Sequence, residues 1–168
     1  MERIFNAQTI NNIGKEVKVQ GWINSRRDHG KIIFFDLRDL SGFLQIVSVS
    51  EIAKGIDLEY FVEIEGKIQK RPAKMINSEI ETGKVELAAK SIKVLSKAKT
   101  LPFDIHDLKA SLPTLLDWRP LTLRNEKVRG IFKVREKIIE SFRNSIKKWG
   151  FYEFQSPIIV PENAEGGA

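Results

Sequence analysis

The stretch FFDLRDLSGFLQIV, residues 34–47, constrains the fold more than any other. Two alternating runs flank Asp39-Leu40-Ser41-Gly42, a cluster of turn formers. Successive side chains of a strand point to opposite faces. The spacing therefore predicts a hairpin with Phe35, Leu37, Leu44 and Ile46 on one face. Phe34, Asp36, Arg38, Phe43, Gln45 and Val47 fall on the other. The first face is a core. The second mixes aromatic rings with charged and amide groups, more than a merely wetted face needs.

The same alternation recurs on both sides. In VKVQGWIN, residues 17–24, Val17, Val19, Gly21 and Ile23 share the inward face and Trp22 points outward. SRRDHGK, residues 25–31, reads as a basic turn leading into the hairpin, and VSEIAKGIDL, residues 49–58, as a short helix. In YFVEIEGKIQ, residues 60–69, Val62, Ile64, Gly66 and Ile68 face inward. A long loop, KRPAKMINSEIETGK, precedes a last strand near residues 85–95. Five short strands with a helix between the third and fourth predict a mainly β class and an OB-fold barrel.

The remaining residues are organised differently. Residues 96–120 contain Pro102, Pro113 and Pro120 without a sustained period and read as a hinge. From 126 to 149, Val128, Ile131, Phe132, Ile138, Ile139, Phe142, Ile146 and Trp149 recur at helical intervals, with Asn125 placed to cap the start and Gly150 the end. A strand, FYEFQSPIIV, is expected next. The division predicted is a barrel domain at 1–98, a hinge at 99–124 and a second domain beginning at 125–168. A helix and one strand cannot bury their own apolar faces, so that second domain is expected to be incomplete.

Composition narrows the chemistry. The chain of 168 residues is 42% hydrophobic and 30% charged, which suits a globular domain and part of another. It has no cysteine, and His29 and His106 are its only histidines, so disulfides, thiolate metal sites and His-rich metal sites are excluded. No apolar run approaches membrane-spanning length, and MERIFNAQTI lacks a signal core. A cytoplasmic protein with no membrane partner is expected. The net charge of +6 suits a polyanion such as nucleic acid, and equally a lysine-rich solvated surface.

OB sheets bind single-stranded nucleic acid by stacking bases on exposed aromatic rings while polar neighbours read base edges. Phe34 would supply the ring and Gln45, in the adjacent strand, an amide that both donates and accepts. Arg26 and Arg27 could pair with phosphates or bases. Packing of Phe34 and Phe43 under a helix or a second domain would use the same residues.

GWINSRRDHGKIIFFDLRDLSGFLQIV closely resembles the anticodon-binding OB domain of aspartyl-tRNA synthetases. The resemblance continues through LPF and LDWRPLTLRN into KWGFYEFQSPIIVPENAEGGA, which looks like motif 1 of class II synthetases and the start of their α+β catalytic domain. The hairpin is similar to bacterial members, NAEGGA to archaeal and eukaryotic ones. The resemblance implies that Phe34 stacks on the middle uridine of the anticodon, that Gln45 reads base edges there, and that Arg27 belongs to the same site. It implies that Glu86 recognises the first base, a guanine, and that His29 lies near the third. Family members with histidine at that turn often accept the asparagine tRNA too. Pro157 would belong to the motif 1 dimer interface, and Glu165, beside Gly166 and Gly167, to a mobile loop contacting the ammonium group of bound aspartate.

A ligase joining aspartate to tRNA is thus implied, a homodimer that uses ATP and Mg2+. Its motifs 2 and 3 find no match in these 168 residues, so no catalytic residue, metal ligand or ATP site is expected within them, and inactivity alone is expected. Asparaginyl- or lysyl-tRNA synthetases, whose tRNAs share the middle uridine, remain alternatives. So do a stand-alone OB module for single-stranded nucleic acid and a catalytically dead relative acting through interactions.

Overall fold

The computed structural model describes residues 2–107 and 109–156. Two compact units divide the chain, Met1–Leu101 and Pro102–Ala168. Pro157 and Glu165, with Gly166 and Gly167, lie outside the described residues.

Unit 1 is built on β1 (Glu16–Asp28), β2 (Ile32–Asp39), β3 (Gly42–Val49), β4 (Phe61–Lys70) and β5 (Val85–Ser96). They close into a barrel in the order β1-β2-β3-β5-β4, antiparallel throughout except for the β3–β5 pair. Closure leaves no free edge. The inward faces expected from alternation form the core: Val19, Ile23, Phe35, Leu37, Leu44, Ile46, Val62, Ile64 and Ile68 are each 0% exposed. Burying each such side chain contributes roughly 1.5–3 kcal/mol.

The β2–β3 turn follows from its residues. Asp39 stands opposite Gly42, whose φ of 133° suits glycine. One carboxylate oxygen of Asp39 accepts the Ser41 N–H and hydroxyl, both at 2.7 Å. The other accepts the Asn6 N–H at 2.8 Å. Asn6 is fully buried and donates its amide to the Leu37 and Gly42 carbonyls at 3.0 and 3.1 Å. It opens a 3-10 helix, Asn6–Asn12, that alternation did not anticipate.

Two further segments depart from expectation. The strand β1 continues to Asp28, so Ser25, Arg26 and Arg27 are strand residues rather than turn residues. A bulge at Asn24 carries it past the barrel core: Ile23 faces Leu37 but Ser25 faces Asp36. The turn shrinks to residues 29–31, closed by His29 N–H donating to the Ile32 carbonyl at 3.0 Å. Residues 50–55 form hydrogen-bonded turns instead of a helix. Gly55, at φ 73°, ends them before a helical ladder can grow.

A second bulge lies in β4–β5. Glu65 faces Ser91, yet Gly66 faces Ala89. A Cβ at Gly66 would sit 2.2 Å from the Ala88 carbonyl oxygen, so only glycine fits this close approach.

Unit 2 contains α1 (Leu112–Asp117), α2 (Arg119–Thr122) and α3 (Glu126–Lys148). The proline-bearing segment thus holds two short helices, with Pro113 and Pro120 in their first turns, where a missing N–H breaks no helical bond. Asn125 caps α3, accepting from the Lys127 N–H at 3.0 Å and donating to the Ile105 carbonyl at 2.9 Å. Gly150, at φ 87°, lies just past its end. No side chain of α3 is buried; Ile131, Val134, Ile138 and Phe142 are all well exposed. Residues 151–156 form no strand, and Arg143 donates to Glu153 at 2.8 and 3.1 Å. Among the described residues, no helix is long and apolar enough to cross a membrane.

Candidate nucleic-acid interface

One outward-facing residue from every strand falls into a single row across the barrel wall. Ser25 of β1 stands opposite Asp36 of β2, Asp36 opposite Gln45 of β3, Gln45 opposite Glu86 of β5, and Glu86 opposite Gln69 of β4. The row is hydrogen-bonded along its length. The Ser25 hydroxyl donates to Asp36. Arg27 donates to both oxygens of Asp36 at 2.7 and 2.9 Å, and at 3.5 Å to the side-chain carbonyl of Gln45. The Gln45 amide donates to one oxygen of Glu86 at 2.8 Å, and the Gln69 amide to the other at 2.8 Å.

Phe34 lies in the adjoining row, with Arg27 on one side and Val47 on the other, and Ala88 beyond Val47. Its ring is partly exposed. The His29 ring stands edge-on to it, centroids 5.4 Å apart and planes at 90°. A flat aromatic face thus borders a strip of amide and carboxylate groups. Phe43 lies on the far side of that strip, opposite Arg38. Arg38 is committed elsewhere, donating to Glu59 at 3.0 and 3.1 Å and to Asn24 at 2.6 Å.

The electrostatics are balanced. Its hydrogen bonds to Asp36 hold the Arg27 guanidinium above its ordinary range, against partial desolvation. Glu86 is only 6% exposed although it faces outward, because Gln45 and Gln69 flank it. Arg71, 7% exposed, donates through Nε to the Val85 carbonyl at 3.1 Å. Burial pushes its guanidinium down, while the charges of Glu86 and Asp36 pull it up.

Arg27, His29, Phe34, Gln45 and Glu86, the candidates from sequence, therefore share one region of the wall. Arg26 instead pairs with Asp28 at 2.9 Å. Gln69, Asp36 and Arg71 were not singled out from sequence. For Asp36 the signal was present, since it alternates onto the face of Phe34 and Gln45. Gln69 carried no comparable signal.

Comparison with known proteins agrees with this fold. A family model described as "OB-fold nucleic acid binding domain" matches residues 17–95, and one described as "tRNA synthetases class II (D, K and N)" matches residues 111–168. An aspartate–tRNA(Asp/Asn) ligase of Endomicrobium trichonymphae is 39% identical over 161 residues, covering 92% of this chain and 28% of that protein. The chain belongs to the class II tRNA synthetases. An aspartate–tRNA ligase of Macrococcus caseolyticus is 38% identical over 162 residues, covering 92% of this chain and 27% of that protein. Among solved structures, the asparaginyl-tRNA synthetase of Pyrococcus horikoshii complexed with asparaginyl-adenylate is 28% identical. It superposes with a TM-score of 0.77 over 100% of this chain and 39% of that one.

This class II synthetase chain thus spans under a third of the length of the curated relatives it matches. The family in general uses ATP and magnesium. Among the described residues, no group of three or more His, Cys, Asp or Glu side chains could hold a metal ion.

Proposed function

We propose that this chain supplies the tRNA-reading domain and motif 1 of an aspartate–tRNA ligase, a cytoplasmic enzyme that attaches aspartate to tRNA at the expense of ATP. One observation carries the reading: the Phe34 ring lies beside a hydrogen-bonded row containing Gln45 and Glu86. In this arrangement the middle uridine of the anticodon stacks on Phe34, and stacking contributes roughly 1–3 kcal/mol per base. Gln45 meets base edges with the amide N–H and carbonyl lone pair left over from its own contacts. Glu86 accepts from a guanine at the first position. Arg27 orients Gln45 rather than acting as a loose phosphate clamp, because Asp36 occupies it.

His29, edge-on to Phe34, lies beside the third base. Acceptance of both the aspartate and the asparagine tRNA is consistent with that histidine and with the Asp/Asn ligase of Endomicrobium. The wider assignments follow from the family. ATP and Mg2+ would serve the intact enzyme. Glu165 would meet the ammonium group of aspartate. Pro157 would belong to a homodimer interface, and the bare apolar stripe of α3 would pack against the rest of the catalytic domain and the partner together.

The test is binding of the chain to fluorescent stem-loops carrying aspartate, asparagine and lysine anticodons, with a linear oligomer as control. Preference for the aspartate and asparagine loops, weakening as salt rises, is expected. Equal binding of the linear oligomer would instead identify a general single-strand binder. Preference for the lysine loop would identify the lysyl relative. ATP–pyrophosphate exchange is expected to be absent from the purified chain.

A further inference from the structure

Glu86 is held from both sides in a way that the function above leaves unused. Its two oxygens each accept one N–H, from the Gln45 amide on β3 and from the Gln69 amide on β4, both at 2.8 Å. The three residues are direct cross-strand neighbours. A glutamate side chain otherwise turns almost freely about its last torsion. A donor on each oxygen, reaching in from opposite strands, fixes the plane of the carboxylate. Each oxygen keeps a second lone pair.

We propose that Gln69 is a positioning residue that makes Glu86 selective for a base with two adjacent ring-edge donors. This rests on the anticodon reading of Glu86. Guanine presents N1–H and an N2 amino hydrogen side by side, a match for two fixed oxygens. Inosine presents N1–H alone. Adenine turns an acceptor toward the carboxylate and is repelled. Both clamping groups are neutral amides, and Arg71 aims its Nε at the Val85 carbonyl. The hydrogen bonds that hold Glu86 therefore come from neutral donors, and its charge strengthens bonds from a base. With Gln69 gone, one oxygen would still be held by Gln45 and the carboxylate would swing about that bond. The second donor of guanine would then lose its partner.

The bulge at Gly66 is what brings Gln69 into place. Continuing the pairing of Glu65 with Ser91 without a shift would set Gln69 against Leu87, a core residue on the inner face. The extra residue in β5 sets it against Glu86 instead.

The experiment compares stem-loops with guanosine or inosine at the first anticodon position, bound to the 168-residue chain and its variants. The wild-type chain should prefer guanosine by roughly tenfold or more, the scale of one hydrogen bond to a charged group. Gln69→Ala should bring the ratio below about threefold, with inosine binding nearly unchanged. Gln69→Leu, which keeps the bulk without the donor, should do the same and serves if the alanine variant folds poorly. A guanosine preference that survives in both Gln69→Ala and Gln69→Leu but is lost in Glu86→Gln would overturn the role of Gln69 and leave the anticodon reading intact. Guanosine and inosine binding falling together with thermal stability would also overturn it, as a purely structural effect. Absence of any guanosine preference in the wild-type chain would sink the reading of Glu86 itself.

Discussion

Arg27 grips Asp36 with two hydrogen bonds of 2.7 and 2.9 Å, reaching from one strand of the barrel to the next. The pair is partly open to water, with side chains 47% and 24% exposed, so its contribution to folding is small. Its effect is on direction: it leaves one arm of the guanidinium toward the carbonyl of Gln45. Asp36→Asn would release that arm. Stability should change by less than about 1 kcal/mol, whereas affinity for an aspartate stem-loop should fall roughly fivefold. Urea denaturation and fluorescence anisotropy on the same preparation would separate the two effects.

Phe34 gives a sharper contrast. Its ring lies on the outer wall, while Phe35 beside it is fully buried. Phe34→Ala should cost about 1–3 kcal/mol of RNA binding and leave the melting temperature nearly unchanged. Phe34→Trp should retain binding. Phe35→Ala should do the reverse, losing about 3–5 kcal/mol of stability. Circular dichroism melts beside binding curves decide whether the two rings divide their work in this way.

Asp39 is expected to matter for the fold alone. It accepts three hydrogen bonds, from the Asn6 N–H and from the Ser41 N–H and hydroxyl. Asp39→Ala leaves the Asn6 N–H without its acceptor in a buried place, at a cost of about 1–3 kcal/mol. Amide hydrogen exchange should rise through residues 6–12 first. Stem-loop affinity, measured well below the melting temperature, should stay within about twofold of wild type.

Stability should also depend on pH through Glu63. The Gln20 amide donates to it at 2.7 Å and Lys18 lies at 3.4 Å, and these hold the carboxyl below its ordinary range. A carboxyl whose folded value is lowered adds stability above its unfolded value and loses it as pH falls through the folded one. Gln20→Ala removes the largest cause. The wild-type chain should therefore outlast Gln20→Ala in urea near about pH 7, with the gap closing by about pH 3. NMR titration of the Glu63 carboxyl should show an upward move in the variant.

Alternation made the barrel readable because a closed sheet needs strict inside–outside order. Val17, Val19, Ile64 and Ile68 all lie where the period placed them. It failed where strands leave the core. Ser25 to Asp28 look like a turn because nothing apolar marks their inner face, yet pairing with β2 continues past the Asn24 bulge. The 3-10 helix at Asn6–Asn12 rests on a buried asparagine, and polarity hides such a residue from any hydrophobic pattern. Phe34 and Gln45 were legible as candidate site residues because they belong to one hairpin. Gln69 was not, because its link to Glu86 depends on a bulge that no local propensity announces.

The polar row takes one residue from each of five strands. None of its members has its cross-strand neighbours supplied by its own strand, so each seam the row crosses must close before the row is whole. Capture of RNA would accordingly report on the folding of the wall: a molecule with one of those seams unzipped would hold only part of the row. A tRNA would select the finished molecules from a mixed population and hold them closed.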